Sequence, residues 1–283
     1  MFKKLLVLCL MLVACLFMPA CGKEELNFGK EVLKVGSQLD ALTQLNNGSV
    51  DVAVIDSVMA GYYTSTGDFK DKLVMVDGLV LATEEYGIAG RKADEAFVSK
   101  VNEAIIALAE TGYKEVAEEF GLTESTCVTS ATSNPLADKA DESWNKIVSD
   151  KKVVIGYTVF APISWEVDGK LTGFDVELAK KVFAYLNEKY EAQIEIEFKI
   201  IDWNSKETLL SNGTIDLIWN GMTITEERAS AMCISVPYLK NKQVAVVKAE
   251  DKAVYKTTAD MSEAIIGVEA GSAGEGVVVK QDK

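Results

Sequence analysis

The 283-residue chain carries 43 acidic side chains against 29 Lys and Arg, a formal net charge of −14, and 48% of its residues are hydrophobic. This length and apolar content suffice for two domains with packed cores, which excludes a chain that is disordered as a whole. A surface of this charge repels phosphate backbones, so nucleic-acid binding is excluded as well. Because the chain has no His, it cannot assemble a Ser-His-Asp or Cys-His nucleophile, and we expect neither a metal nor another cofactor.

Residues 1–20 predict export from the cell. Two lysines precede an apolar run that is short for a membrane span, as in a secretory signal peptide. Cys21 follows Ala20 at the end of this run, and the pattern resembles the lipobox of bacterial lipoproteins. The resemblance implies cleavage before Cys21 and a lipid anchor on its sulfur, with an ordinary signal peptide and an incidental Cys as the alternative.

Two cysteines, Cys127 and Cys233, remain beyond the signal region. A disulfide is possible in an exported protein, but Cys127 falls in a Ser/Thr-rich stretch and nothing in the sequence fixes its distance from Cys233. We therefore expect two free thiols.

Hydrophobic periodicity predicts alternating strands and helices along the chain. The first part has predicted strands at 31–35, 50–55, 73–76 and 86–91, and predicted helices at 37–45, 58–64 and, in two pieces, 93–120. Residues 122–135 lose all periodicity and read as a linker. The second part has predicted strands at 153–157, 195–200, 215–219, 244–248 and 265–268, with helices at 138–148, 175–188, 205–211 and after 271–275. Such alternation is typical of doubly wound α/β sheets.

One pattern, helix then Asn-Gly then strand, occurs in both parts. Asn47-Gly48 precedes a strand that ends at Asp56, and Asn212-Gly213 precedes a strand that ends at Trp219-Asn220-Gly221. Ligands of open α/β sheets bind outside the carboxyl ends of the strands. Two such units with polar strand ends predict a ligand cleft between two lobes.

Several longer motifs carry a family resemblance. They are Gly169-Lys170-Leu171-Thr172-Gly173-Phe174-Asp175, Ile201-Asp202-Trp203 and Asn220-Gly221-Met222-Thr223-Ile224-Thr225-Glu226-Glu227-Arg228. With these motifs, the chain from Val153 onward resembles the amino-terminal lobe of the type 2 solute-binding proteins of polar-amino-acid ABC importers, the bacterial family 3 solute-binding proteins. The resemblance implies an α/β, two-lobed, periplasmic-binding-protein-like type II fold.

The order of the segments differs from that family. Residues 30–121 resemble the part that normally comes last, so the chain looks like a circular permutant. On this interpretation lobe 1 covers about 92–246, including a linker at 122–150 that joins the former termini, and lobe 2 is split between 22–86 and 249–283. Ends placed in a surface loop tolerate such permutation. The alternative is a fusion of two half-proteins that swap between chains; we expect a monomer.

The resemblance assigns binding roles to named residues. Arg228 would hold the carboxylate of a free amino acid with its planar fork, since two parallel bonds fit that group. Asp56 would accept the ammonium, with a helix N-cap as the alternative. The polar groups of Asn220, Gly221 and Thr223 would line the same end of the site.

The remaining predicted residues form the walls and the far end. Phe160 and Trp203 match the aromatic walls around the ligand side chain, although such residues are often simply core. The loop containing Ser272 and Ala273 would present N–H groups to the carboxylate, and Ala273 stands where many relatives have Thr. Glu269, with Tyr157, would face the variable end, where a carboxylate suits a cationic or amide side chain.

The sequence thus predicts a lipid-anchored extracytoplasmic receptor that binds a polar or cationic amino acid and passes it to an ABC permease, without catalysis. Two alternatives stay open. One is a sensor that presents the bound lobes to a signalling receptor. The other is a lyase similar to cyclohexadienyl dehydratase, for which Glu269 is the candidate proton-transfer group.

Overall fold

The computed structural model describes residues 24–280. The predicted signal peptide (1–20) and the predicted lipidation site at Cys21 lie outside the described residues. Of the helices within 24–280, none combines the length and the apolar character needed to cross a bilayer.

The described chain alternates between strands and helices. The strands are β1 (Glu31–Val35), β2 (Val52–Asp56), β3 (Leu73–Arg91), β4 (Lys152–Tyr157), β5 (Trp165–Val167), β6 (Lys170–Thr172), β7 (Glu195–Ile200), β8 (Leu217–Thr223), β9 (Met232–Ile234), β10 (Leu239–Lys248) and β11 (Ile265–Glu269). The α-helices are α1 (Gln38–Asn47), α2 (Ser57–Ser65), α3 (Glu95–Ala107), α4 (Gly112–Glu119), α5 (Ser143–Asp150), α6 (Phe174–Tyr190), α7 (Lys206–Ser211), α8 (Glu226–Ala231) and α9 (Ala273–Val278).

One nine-stranded sheet runs through the described residues in the order β1-β11-β2-β10-β3-β8-β4-β7, with β9 paired to β3. The strands β1, β11 and β2 are parallel, and so are β8, β4 and β7. The two parallel groups are joined by β10 and β3, which are antiparallel to each other and to their neighbours. We call the group around β1, β11 and β2, with α1, α2 and α9, lobe 2. The group around β8, β4 and β7, with α3 to α8, β9 and the separate two-stranded sheet of β5 and β6, is lobe 1.

The repeated Asn-Gly pattern has the same structural role in both lobes. Gly48 ends α1 with a φ of +84°, and Gly213 follows α7 with a φ of +78°. Only glycine adopts this left-handed conformation without a steric penalty, so the pattern stops each helix and turns the chain into the next strand. At the start of α1, the Ser37 side chain accepts a hydrogen bond from the Asp40 N–H.

The predicted strands at 73–76 and 86–91 are both strand in the structure, but the predicted break between them is wrong, because residues 73–91 form the single strand β3. Its partner β10 pairs with it from Leu73 to Tyr86, with register shifts near Val244. The middle of β3 is partly exposed, so the apolar signal that marks a strand in the sequence is interrupted there although the backbone pairing continues. The strand therefore crosses from lobe 2 into lobe 1.

The predicted linker at 122–150 packs against lobe 1 and ends in α5. The Asn134 amide donates to the Ser99 carbonyl at 3.0 Å. Asp141 and Ser143 accept hydrogen bonds from the first N–H groups of α3, at 2.7 and 2.9 Å. The amino-terminal end of α3 is thus capped by side chains that lie more than forty residues further along the chain.

Buried apolar residues form one large cluster that includes both lobes, and a smaller cluster on the opposite face of each lobe. The large cluster contains Leu42 and Ile55 from lobe 2 together with Phe97, Ile155 and Phe183 from lobe 1. Cys127 and Cys233 are both free thiols, as predicted.

Candidate functional site

Ten of the eleven residues predicted from the sequence to contact the ligand line one small cavity between the lobes, with a volume of about 20 Å³. They are Asp56, Phe160, Trp203, Asn220, Gly221, Thr223, Arg228, Glu269, Ser272 and Ala273. This space holds about one water molecule, so the lobes must move apart to admit a larger ligand. Asp56, Glu269, Ser272 and Ala273 come from lobe 2, and the others come from lobe 1.

Asp56 ends β2 and is 4% exposed. Its side chain accepts amide hydrogen bonds from Gln38, Asn241 and, at 2.7 Å, Gln243. Within residues 24–280 this carboxylate makes no capping bond to α2, although Asp56 stands at the N-cap position. The capping alternative therefore does not describe Asp56.

The surroundings of Asp56 favour its protonated form as long as no cation is bound beside it in the cavity. Burial, followed by the nearby Glu84 carboxylate, raises the Asp56 pKa well above its usual value. The Gln243 amide also donates to Glu84, at 2.9 Å, so one amide bridges the two acids. A cation placed in the cavity would stabilise the ionised form of Asp56.

Arg228 lies on α8, one turn beyond the Thr225 side chain, which accepts a hydrogen bond from the Arg228 N–H. Its guanidinium donates to the Thr223 carbonyl at 2.8 Å and to the Gly271 carbonyl at 3.0 Å. The second bond joins lobe 1 to lobe 2. These two contacts fix the plane of the guanidinium at the wall of the cavity.

Glu269 ends β11 and is 5% exposed. Burial raises the pKa of its carboxyl to about 8, while the positive charge of Lys206 and a hydrogen bond with Gln38 oppose the shift. At neutral pH this group can therefore donate as a neutral acid or accept as a carboxylate. Glu269 lies in the part of the cavity that lobe 2 forms.

Lys206 lies near Glu269 at the junction of the lobes, a position that was not predicted from the sequence. It is 2% exposed, and its ammonium donates to the carbonyls of Trp203 at 3.2 Å and Gly271 at 3.0 Å. The ammonium also lies 4.8 Å from the centre of the Trp203 ring. Burial, followed by the neighbouring charge of Arg228, lowers the Lys206 pKa.

Gly221 allows the aromatic wall to approach the backbone. It has a φ of +61°, and a Cβ added there would lie 2.7 Å from Cε1 of Phe160. Its N–H donates to the buried carboxylate of Asp175 at 2.8 Å, so this N–H is not available to a ligand. Burial raises the pKa of Asp175 to about 7.

Asn220 and Thr223 lie on β8 at the same end of the site, and both are buried. The Asn220 amide is held between the hydroxyls of Ser164 and Thr158. Thr223 provides its carbonyl to Arg228. The strand end is therefore a preorganised polar wall.

The loop before α9 differs from the prediction of free N–H groups. The Gly271 N–H donates to the Glu275 carboxylate at 2.6 Å, and the Ser272 N–H donates to the Glu269 carbonyl at 3.2 Å. The Ser272 hydroxyl caps α9 by accepting from the Glu275 N–H. Two of the N–H groups predicted to hold a carboxylate are thus already bonded, one to the Glu275 carboxylate and one to the Glu269 carbonyl.

Tyr157 was predicted to face the variable end, but it packs against Phe198 with ring centres 6.4 Å apart, away from the residues that line the cavity. The lining residues that the sequence did not indicate are Gln38, Met59, Thr158 and Val159. Gln38 opens α1 and Met59 lies in α2, so each reads in the sequence as an ordinary helical residue. The distance of Gln38 from β2 in sequence hides its contact with Asp56.

Comparison with known proteins gives the class. Residues 153–282 match the family "Bacterial extracellular solute-binding proteins, family 3". The L-cystine-binding protein TcyJ of Escherichia coli K12 is 31% identical over 136 residues, which cover 47% of this chain and 49% of that protein. The arginine-binding extracellular protein ArtP of Bacillus subtilis 168 is 32% identical over 126 residues, covering 44% and 46%.

Among solved structures, an ABC uptake transporter substrate-binding protein from Streptococcus pneumoniae with bound histidine is 39% identical. That match covers 32% of this chain and 35% of the other, with a TM-score of 0.28. The chain spans about half the length of the curated relatives it matches.

The sheet and the cavity define an α/β, two-lobed binding fold of type II, as predicted. Over residues 153–282 the sequence is similar to the family 3 bacterial extracellular solute-binding proteins.

Proposed function

We propose that this protein is an extracytoplasmic receptor of an ABC importer that closes its two lobes over a free polar or cationic amino acid. The observation that carries the proposal is the placement of Arg228 on lobe 1 and Asp56 on lobe 2 around one cavity. A free amino acid is a zwitterion, so a cation and an anion on opposite walls match its carboxylate and its ammonium. Each charge of the ligand then replaces hydration by a charge-assisted hydrogen bond.

The ligand side chain would extend towards Glu269 between Phe160 and Trp203. The aromatic residues are 4% and 5% exposed and supply apolar walls. Glu269 offers a buried carboxyl group, so the end of the side chain would be a hydrogen-bond donor, charged or neutral. This argument supports a cationic or amide side chain.

We propose further that the chain is a circular permutant within one molecule, with lobe 1 at about 92–246 and lobe 2 split between 22–86 and 249–283. The two segments of lobe 2 are adjacent at their outer ends: Leu26 pairs with Val279, and the Lys280 N–H donates to the Glu25 carbonyl at 2.8 Å. The parallel pairing of β1 with β11 joins the segments over five residues. Reordering the gene so that residue 283 leads into residue 23, with new ends within 122–150, should preserve ligand binding.

Anchoring by a lipid on Cys21 completes the proposal, together with delivery of the ligand to a membrane permease and a monomeric state. The support is the lipobox-like sequence and the family match. A Cys21→Ser variant should move the protein from the membrane fraction to the soluble fraction. A protein that stays in the membrane fraction would contradict the lipid anchor while leaving the receptor proposal intact.

A thermal-shift screen of the chain without residues 1–20 against the common amino acids tests the receptor proposal, since a ligand that binds only the folded state raises the melting temperature. We expect a shift with one or a few polar amino acids that disappears in Arg228→Ala and Asp56→Ala. The absence of any shift would contradict the proposal. Turnover of a prephenate-like acid that depends on Glu269 would instead support the dehydratase alternative.

A further inference from the structure

The corner behind Glu269 contains a second buried cation besides Arg228. Lys206 is 2% exposed, and its ammonium lies 3.0 Å from the carbonyl oxygen of Gly271, two residues beyond Glu269. Burying an ammonium is costly unless its donors are used. The carbonyls of Trp203 and Gly271 use two of them, and Glu207 lies 3.2 Å away on the solvent side.

These contacts hold the charge in one place. The ammonium bonds to the carbonyl of Trp203 in its own lobe and lies over the Trp203 ring, at 4.8 Å from its centre. A Cβ on Gly271 would be 2.9 Å from Oδ1 of Asn204, so the two lobes meet closely at this point. The Lys206 ammonium is therefore held against lobe 2 while the lobes are together.

From this arrangement we infer that Lys206 is a specificity-determining residue. Its charge disfavours a permanently cationic ligand side chain at the Glu269 end of the cavity, relative to a neutral side chain of the same shape. The inference rests on the proposed function and narrows its substrate class. A fixed positive charge beside the cavity repels a guanidinium or ammonium but leaves a neutral amide or ureido group nearly unaffected. Because Lys206 and Glu269 are 2% and 5% exposed, solvent screens this charge only weakly and the difference is large.

The other charged groups near this corner differ from Lys206 in position. Arg228 adds positive charge but would be neutralised by the ligand carboxylate. Asp40 and Asp202 act on Glu269 from outside, and Glu207 lies at the surface with 43% of its side chain exposed. Lys206 is therefore the cation whose charge remains beside Glu269 after the ligand backbone has been bound.

The sharpest test uses arginine and citrulline, which have nearly the same shape but differ in charge. We expect Lys206→Met to raise the ratio of arginine affinity to citrulline affinity at least tenfold in isothermal titration. Lys206→Arg should keep the native ratio, since it keeps the charge. Lys180→Met is a matched control: it removes the same charge from lobe 1 at an exposed ion pair with Glu177 and should leave the ratio unchanged.

A merely structural role of Lys206 would weaken both ligands equally, because it would damage the cavity without regard to ligand charge. An equal loss for arginine and citrulline in Lys206→Met therefore overturns the inference, and so does an unchanged ratio. If that variant does not fold, Lys206→Gln replaces it under the same criteria. If a neutral amino acid binds but arginine binds to neither the native protein nor the variant, the inference is likewise overturned.

A ligand-free measurement separates failure of this inference from failure of the proposed function. Carbon-13 NMR of the Glu269 carboxyl group gives its titration midpoint without any ligand. We expect the midpoint to rise in Lys206→Met, because a stabilising positive charge is lost, and to stay unchanged in Lys180→Met. If no amino acid binds the native protein, the proposed function fails; a midpoint that does not move overturns the role of Lys206.

Discussion

The guanidinium of Arg228 on lobe 1 donates a hydrogen bond to the carbonyl oxygen of Gly271 on lobe 2, with a separation of 3.0 Å between Nη2 and the oxygen. A bond whose two partners belong to different lobes forms only while the lobes are together. The residue assigned to the ligand carboxylate thus also takes part in the contact between the lobes. We therefore expect Arg228 to act both in ligand recognition and in closure of the lobes.

Replacing Arg228 by Ala should weaken amino-acid binding by about 2–5 kcal/mol, or roughly 30- to several thousand-fold, because a buried charge partner is lost. Isothermal titration with the amino acid identified in the screen measures the effect. Lys242→Ala, a change of one exposed cation on β10, is the control and should bind normally. A loss of less than threefold in Arg228→Ala would remove Arg228 from the site.

Gly221→Ala should destabilise the fold and weaken binding, since the new Cβ would lie 2.7 Å from Cε1 of Phe160. Gly213→Ala is the matched control. Gly213 has a similar positive φ of +78°, but among the described residues no atom lies within 4 Å of the added Cβ. Both variants should lose about 1–2 kcal/mol of unfolding free energy through left-handed backbone strain. Gly221→Ala should lose about 1–3 kcal/mol more through overpacking. Urea unfolding measures the difference, and equal losses would contradict the predicted steric clash.

Glu269 should make the ligand-free protein less stable as the pH rises. Its pKa is about 8 in the folded state against an ordinary 4.5, so between these values the folded state keeps a proton that the unfolded state has released. Its contribution is fully present below about pH 4.5 and is lost progressively up to about pH 8. Glu269→Gln should remove up to about 1.4 kcal/mol of stability change per pH unit in this window.

The measurement is urea unfolding of the native protein and the variant at several pH values. The comparison between them matters, because Asp56 and Asp175 also have raised pKa values and add slopes of the same sign. Glu263→Gln, which changes an exposed acid on the same lobe, should keep the native slope. Parallel curves for native protein and Glu269→Gln would show that Glu269 titrates normally.

Trp165 and Tyr62 form a further contact between the lobes and should contribute to closure. Trp165 is on lobe 1 and Tyr62 is on lobe 2, and their ring centres are 5.7 Å apart. Trp165→Ala should therefore weaken ligand binding about two- to tenfold, as expected for the loss of one aromatic pair. Trp144→Ala is the control: its ring packs against Tyr190 at 5.3 Å, within lobe 1. If both variants weaken binding equally, the contact across the lobes has no special role in closure.

Local sequence rules determined much of the fold and most of the site. The Asn-Gly pairs before β2 and β8 mark helix ends because glycine alone accepts the required φ without strain. The apolar strands that end in Asp56 and in Asn220-Gly221 predicted which residues would face a ligand, and the structure brings these residues around one cavity. These features depend on each residue and its near neighbours, so they can be read from the chain.

Contacts between distant segments decided the rest. The polar middle of β3 is a strand because β10, more than 150 residues away, pairs with it. Gln38 belongs to the site because it reaches Asp56, and Lys206 is buried because lobe 2 places the Gly271 carbonyl beside it. On a short helix a lysine followed by a glutamate has the pattern of a solvated surface. Only the docking of the second lobe removes the water and leaves that charge beside the cavity.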